Sequence, residues 1–222
     1  MAARNDELNR LFYRETLQGS GVGDEKVVRQ HGGIGMYAHV RVAVHALSRG
    51  EGTVFSWNAG SSIPAKFAPA VVQGVQDALQ DGVLAGLEVT DVYASIENGS
   101  YHEEDSTTHA FKEAAEKATA AAIRQARPMI LEAWSLVRIV VPAEFVAAIQ
   151  AMVISRGCQT EAIGSDSSPQ AITAKMPTQD VNDLIAEILR ASDGQSNISV
   201  ASAGFRAKPE PPDTVEKWVR SV

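Results

Sequence analysis

The sequence predicts an α+β fold built as two successive domains, and three observations carry that prediction. Short β-like runs are interleaved with two long helical patterns through the first 125 residues. Arg127-Pro128 then breaks the second of those patterns, because the residue before a proline is pushed out of the helical region. Beyond it the order reads strand, helix, strand, strand, helix, strand, which is the split βαβ arrangement. With 222 residues, 45% of them apolar and 21% charged, the chain has enough material for two compact cores.

The elements follow in order. Leu11 to Leu17 alternates as a strand, and the glycine-rich Gly19 to Asp24 reads as a flexible turn or hairpin loop. His31-Gly32-Gly33-Ile34-Gly35-Met36-Tyr37 reads as a tight hairpin, followed by a strand over Ala38 to Leu47. Thr53 opens another strand. Ile63-Pro64 then starts a helix with Phe67, Ala70, Val71, Gly74, Val75, Ala78 and Leu79 on one face and Gly82 as its stop. Pro69 is unusual in the first turns of such a helix, since it removes a backbone donor.

Val89 to Glu97 reads as a strand that enters a polar loop, Asn98 to Thr107. In this reading Asn98-Gly99 supplies residues that tolerate positive φ, and Asp105 or Ser106 caps the helix that follows. That helix, Thr108 to Gln125, has a face of small residues: Phe111 is followed by Ala114, Ala115, Ala118, Ala121 and Ala122, which lets it lie close to a sheet. Its other face carries Lys112, Lys117 and Arg124 against Glu113 and Glu116, a solvated face by default. In the second domain the strands are Trp134 to Val141, Cys158 to Ser165, Gln170 to Lys175 and Gln195 to Phe205, and the helices Ala143 to Ser155 and Thr178 to Ala191. Gly157 reads as a left-handed helix stop.

Composition narrows function. A single cysteine, Cys158, can form neither an internal disulfide nor a cysteine-type zinc site, which fits a reducing, cytoplasmic setting. No apolar run approaches the roughly 18 residues that cross a bilayer, so no membrane partner is expected. A formal net charge of -7 argues against a wholly basic nucleic-acid binder, so any RNA contact must be local. No Gly-x-x-x-x-Gly-Lys-Ser/Thr run occurs, so no phosphate-cradling loop of that type is present.

The tip loop carries a resemblance. Gly99-Ser100-Tyr101-His102, Asp105-Ser106 and Ala110-Phe111-Lys112 closely resemble the GSYHDVDSS and AFK signature of bacterial translation elongation factor G. Tyr13-Arg14-Glu15-Thr16, Ile63-Pro64, Pro69-Ala70-Val71, Gly74-Val75, Leu84-Ala85-Gly86 and Met129-Ile130-Leu131-Glu132 match that family in collinear order. The chain departs from it in the glycine loop, where the family reads Gly-Gly-Arg-Gly-Gln-Tyr or Phe and this chain has Ile34 and Met36. Ala133 also replaces a family proline.

The resemblance implies a ribosomal protein S5 domain 2-like fold for residues 1–132, a ferredoxin-like βαββαβ domain for 133–208 and a helical tail over 209–222 anchored by Trp218. It implies the C-terminal, ribosome-binding part of a translational GTPase, probing the decoding site as a tRNA-like wedge to promote movement of tRNA and mRNA. The fragment itself then has no cofactor and no catalytic residue, since GTP and Mg belong to a GTPase domain elsewhere. The implied RNA-contacting residues are Gly32, Gly33, Ile34, Gly35, Met36 and Tyr37 in one loop and Ser100, Tyr101, His102, Glu103 and Asp105 in the other. The expected partner is the ribosome, with its rRNA, mRNA and tRNA, and the expected state is monomeric.

Other readings are a ribosomal protection protein of the tetracycline-resistance type, a ribosome-recycling paralogue, an enzyme and a plain interaction domain. The retained Ser100 to Ser106 pattern favours an elongation factor over a protection protein, while Ile34 and Met36 favour a divergent paralogue. An enzyme built on His102, Glu103, Glu104 and Asp105 lacks a pocket that would shift their pKa values, and the histidines show no metal-binding spacing.

Overall fold

The computed structural model describes residues 10–31, 34–161 and 170–208. The chain divides into two compact units, one holding the described residues up to Leu131 together with Ala207 and Lys208, the other Glu132–Arg206. Residues 209–222, where the sequence places a helical tail, lie outside the described residues.

In the first unit β1 (Tyr13–Leu17) is followed by β2 (Ser20–His31), β3 (Ile34–Ala46), β4 (Thr53–Trp57), helix α1 (Ala68–Asp81), β5 (Val92–Ser100) and helix α2 (Thr108–Gln125). Four strands form a sheet of order β2-β3-β5-β4. β2 and β3 pair antiparallel along their whole length, β3 and β5 antiparallel, and β4 and β5 parallel. The apolar residues of β3 and β5 that point inward, Val40, Val42, Val44, Val92, Ala94 and Ile96, are fully buried beneath α1 and α2. Phe67 and Phe111 stack at 4.5 Å between ring centroids, in the offset range that aromatic pairs favour.

Gly19 to Asp24 is not a flexible turn; Ser20 onward is strand. The glycines serve packing instead. A Cβ on Gly21 would fall on the carbonyl oxygen of Ala122, and one on Gly23 on that of Ala118, so β2 runs directly against the α2 backbone. Gly74 does the same between the helices, where an added Cβ would meet the Lys112 carbonyl. Ala114, Ala115, Ala118 and Ala122 complete this contact and are wholly buried.

Helix boundaries shift for local reasons. The α-helix begins at Ala68, after a single 3-10 turn over Ala65–Phe67, so Pro69 sits in the first turn where its missing N–H has no helical partner to lose. Gly82 ends α1, the stop that the sequence predicts, with φ 58, a backbone conformation that glycine takes without strain. The strand expected over Val89 to Glu97 begins instead at Val92, because Asp91 takes φ 57 and Val89 bridges to Glu15.

Glu15, in Tyr13-Arg14-Glu15-Thr16, is completely buried. Its carboxylate accepts hydrogen bonds from the backbone amides of Val83 at 2.8 Å, Leu84 at 3.1 Å, Ala85 at 2.9 Å and Leu87 at 3.4 Å. Its own backbone pairs with Glu88 and Thr90. One side chain thus takes four of the backbone donors in the turn between α1 and β5.

The second unit runs β6 (Pro128–Val141), helix α3 (Ala143–Ser155), β7 (Gln159–Glu161), β8 (Gln170–Pro177), helix α4 (Val181–Ala191) and β9 (Asn197–Ala207). β6 begins in the first unit and pairs with both β8 and β9, and β8 pairs with β7, which gives the βαββαβ order of the split βαβ fold. The strand expected from Trp134 begins earlier, at Pro128, since Arg127 turns the chain with φ 54 and proline is tolerated at the first strand position. Val146, Ile149 and Val153 of α3 and Val181, Leu184 and Ile188 of α4 cover Val137, Ile139, Ile172 and Ala174. Gly157 has φ 68, the left-handed stop expected after α3. The expected strand Cys158 to Ser165 is seen as Gln159–Glu161, and its remainder lies outside the described residues.

Gly23→Ala is expected to lower the unfolding free energy by about 2 kcal/mol in urea, the usual cost of overpacking, because backbone rather than a flexible side chain stands in the way.

Candidate nucleic-acid interface

The end of the β2–β3 hairpin and the loop from β5 to α2 are joined through one residue, Tyr37. Its N–H donates to the Asp105 carbonyl at 2.9 Å, and its carbonyl accepts the Ser106 hydroxyl at 2.9 Å. Ser106 closes its own loop as well: its oxygen accepts the His102 amide at 2.9 Å, and its N–H donates to the His102 carbonyl at 3.1 Å. Gly35 lies so close to Asp105 that an added Cβ would fall on the carboxylate. The structure therefore brings Gly35, Met36 and Tyr37 beside Ser100, Tyr101, His102, Glu103 and Asp105. Gly32 and Gly33 lie outside the described residues, and Ile34 is placed only through its backbone, opposite His31.

Two expectations about the loop are corrected. Asn98 and Gly99 are strand residues, and Gly99 has no positive φ; it is small because Ile63 and the His39 carbonyl press against it. The register of β3 and β5 slips between Arg41 and Val42, so that Glu97 has no residue opposite it in β3, a β-bulge that turns the strand as it approaches the loop. The cap of α2 is neither Asp105 nor Ser106 but Thr107, whose hydroxyl accepts the Ala110 amide at 3.1 Å. Ser106 is already committed to Tyr37 and His102.

The side chains sort by strand alternation. Met36 points inward and packs on the core of the first unit, while Tyr37 and His39 take the other face. His102, Tyr101 and Glu103 are exposed. His102 Nδ1 lies 3.1 Å from Asp105 Oδ2, an i,i+3 pair with 59% and 40% of the side chains accessible. On α2, Lys112 is held by Asp77 at 2.7 Å and Lys117 by Glu113 at 2.8 Å, so part of the cationic face is paired within the protein. A cleft of about 380 Å³ beside that face is lined by Glu25, Glu116, Lys117 and Arg124, with both signs of charge.

Sequence reasoning missed a side-chain chain behind the loop. Tyr37 Oη and Ser100 Oγ are 2.7 Å apart, Ser100 Oγ and His39 Nδ1 3.2 Å, and His39 Nε2 hydrogen-bonds Asp24. Asp24 also faces Arg41 at 3.4 Å. The hydrogen bond from His39, outweighing the opposing cost of burial, holds the Asp24 carboxyl below its usual value. Ser100, His39 and Asp24 stand in the order of a nucleophile, base and acid. Ser100 shares its oxygen with Tyr37 and lies on an open sheet face, so the arrangement holds the loops rather than attacking a substrate. The signal lies in the hairpin register, which sets Lys26 opposite His39 and Asp24 beside it, but reading Gly19 to Asp24 as a turn takes β2 out of view.

Residues 10–127 match the family model described as elongation factor G, domain IV, and residues 129–215 match the one described as elongation factor G C-terminus. Among solved structures, a crystal structure of a protein from Thermus thermophilus is similar over 94% of this chain with 27% sequence identity and a TM-score of 0.81. The match spans 31% of that protein's chain, so the sequence covers about a third of the length of the relative.

Thr107→Ala is expected to cost about 1 kcal/mol, the usual value of a helix cap, and His102→Ala no more than about 0.5 kcal/mol, both read from thermal or urea melts. The lowered Asp24 value also fixes a sign. Its contribution to stability is complete above the ordinary aspartate value of about 4 and is lost as pH falls through the lower folded value. Asp24→Asn should flatten that part of an acid-stability curve.

Proposed function

This chain belongs to the elongation factor G family, and from that premise we propose that it is the ribosome-binding C-terminal part of a translational GTPase, entering the decoding site with the joined loops at Tyr37 and His102. The observation that carries the reading is the collinear match of two successive domains of one family across nearly the whole chain. Neither matched domain is the GTPase domain, so nucleotide and Mg are assigned to a part of the protein outside this sequence. The partner is the ribosome with its mRNA and tRNA, the working state is a monomer, and the setting is the cytoplasm. No helix among the described residues is long and apolar enough to cross a membrane.

His102 is the residue assigned most weight. It is exposed, it is held by its backbone to Ser106, and its ring is steadied by Asp105, which suits hydrogen bonding to RNA better than proton transfer. Recycling or protection of ribosomes is the second reading; a divergent, recycling paralogue is the form of it favoured by Ile34, which puts an aliphatic residue where the resemblance calls for arginine and so removes a phosphate-binding fork. Met36 supports it less, since that side chain is turned to the core.

Single-round translocation by the full-length factor carrying His102→Ala tests the proposal. Slower movement of tRNA and mRNA with GTP hydrolysis nearly intact is the expected result, and unchanged translocation would reduce His102 to a solvated loop residue. Calorimetric titration of this chain with GTP should give no heat of binding; a micromolar affinity would overturn the assignment of nucleotide to another domain.

A further inference from the structure

The Tyr37–Ser100–His39–Asp24 chain has a direction, and His39 sets it. His39 lies on the open face of β3, with 17% of its side chain accessible. Lys26 faces it from β2 and Ser100 from β5, while among the described residues Asp24, Arg41 and Tyr37 are the other titratable or charged groups beside it on that face. Its Nε2 meets a carboxylate that can only accept, so Nε2 carries a proton whether the ring is neutral or charged.

The other nitrogen, Nδ1, therefore decides the rest. With neutral His39, Nδ1 accepts the Ser100 proton, and the Ser100 oxygen accepts the Tyr37 proton. With His39 charged, Nδ1 becomes a donor to the Ser100 oxygen, the Ser100 proton swings to the Tyr37 oxygen, and the Tyr37 proton is turned outward. Beyond the proton that His39 takes up from solvent, no atom moves between residues; the hydrogen bonds along the chain reverse.

We propose that His39 is a positioning residue for the tip: its charge state sets, through Ser100, whether the Tyr37 hydroxyl donates into the sheet or outward to a polyanionic partner lying on the tip. The partner's chemistry, a phosphate backbone, rests on the ribosomal reading above, but the reversal itself does not. Tyr37 is also the residue whose peptide holds Asp105 and Ser106, so a change in its hydroxyl bond is felt at the peptide that joins the two loops.

The test is a titration of the chain by 1H–15N correlation spectra between about pH 5 and 8, run on the parent and on His102→Gln, which removes the histidine of the loop from β5 to α2. The amides of Tyr37 and Ser106 are expected to shift with the midpoint of the His39 ring in both proteins. Ser100→Ala should abolish that shared midpoint, and Ser100→Thr, which keeps a hydroxyl, should restore it. Tip amides that ignore His39 in the His102→Gln protein, or that still follow it in Ser100→Ala, would overturn the proposal. Because no ribosome enters the measurement, its failure is separate from a failure of the translocation assay.

Discussion

Helix α2 lies closer to its sheet and to α1 than side chains would allow, and the rest of the first unit depends on that approach. Gly21, Gly23 and Gly74 remove the atoms that would keep backbones apart, and alanines line what remains. Close approach makes the layer thin and its dispersion contacts dense, so the helix has little freedom to slide or roll. The first residue of α2 follows Thr107 directly. Fixing the helix thus fixes where the loop that precedes it ends, and the His102 segment is held at one end by packing that occurs far from it.

A second constraint fixes the other side of the unit. The turn from α1 to β5 holds backbone donors that a short connection cannot pair within itself, and the buried Glu15 carboxylate takes four of them. Asp91 plays the same part nearby, accepting the amides of Gly50 and Gly52 at 3.0 Å while Arg49 stands 3.6 Å away. Both acids close loops by accepting hydrogen bonds from backbone amides that the loops do not pair within themselves. They anchor β1 and the β3–β4 connection to the strand that leads into the tip.

The helices are the most legible part. α2 is read from Thr108 to Gln125 and α3 from Ala143 to Ser155 with the bounds the structure has, because apolar spacing and a breaking residue mark both ends. The misreadings share one cause, which is that glycine has two uses. Local sequence cannot separate a glycine that bends the chain from one that admits a neighbouring backbone, so Gly21, Gly23 and Gly99 read as turn residues when a helix, or Ile63 and a carbonyl, lies against them. The same limit applies to the site. The two loops are legible as motifs, but their union through the Tyr37 peptide and the support from His39 and Asp24 are made across strands, where only register brings the partners together.

The tie between the loops has a consequence for how such a protein diversifies. It is made almost wholly by the peptide groups of Tyr37, Asp105 and His102 and by the Ser106 hydroxyl, and the side chains of Met36, Tyr101 and Glu103 take no part in it. Geometry and chemistry at the tip are therefore separately heritable. Substitutions at exposed positions such as Tyr101 and Glu103 can alter what the tip is able to grip while the frame that presents it stays the same.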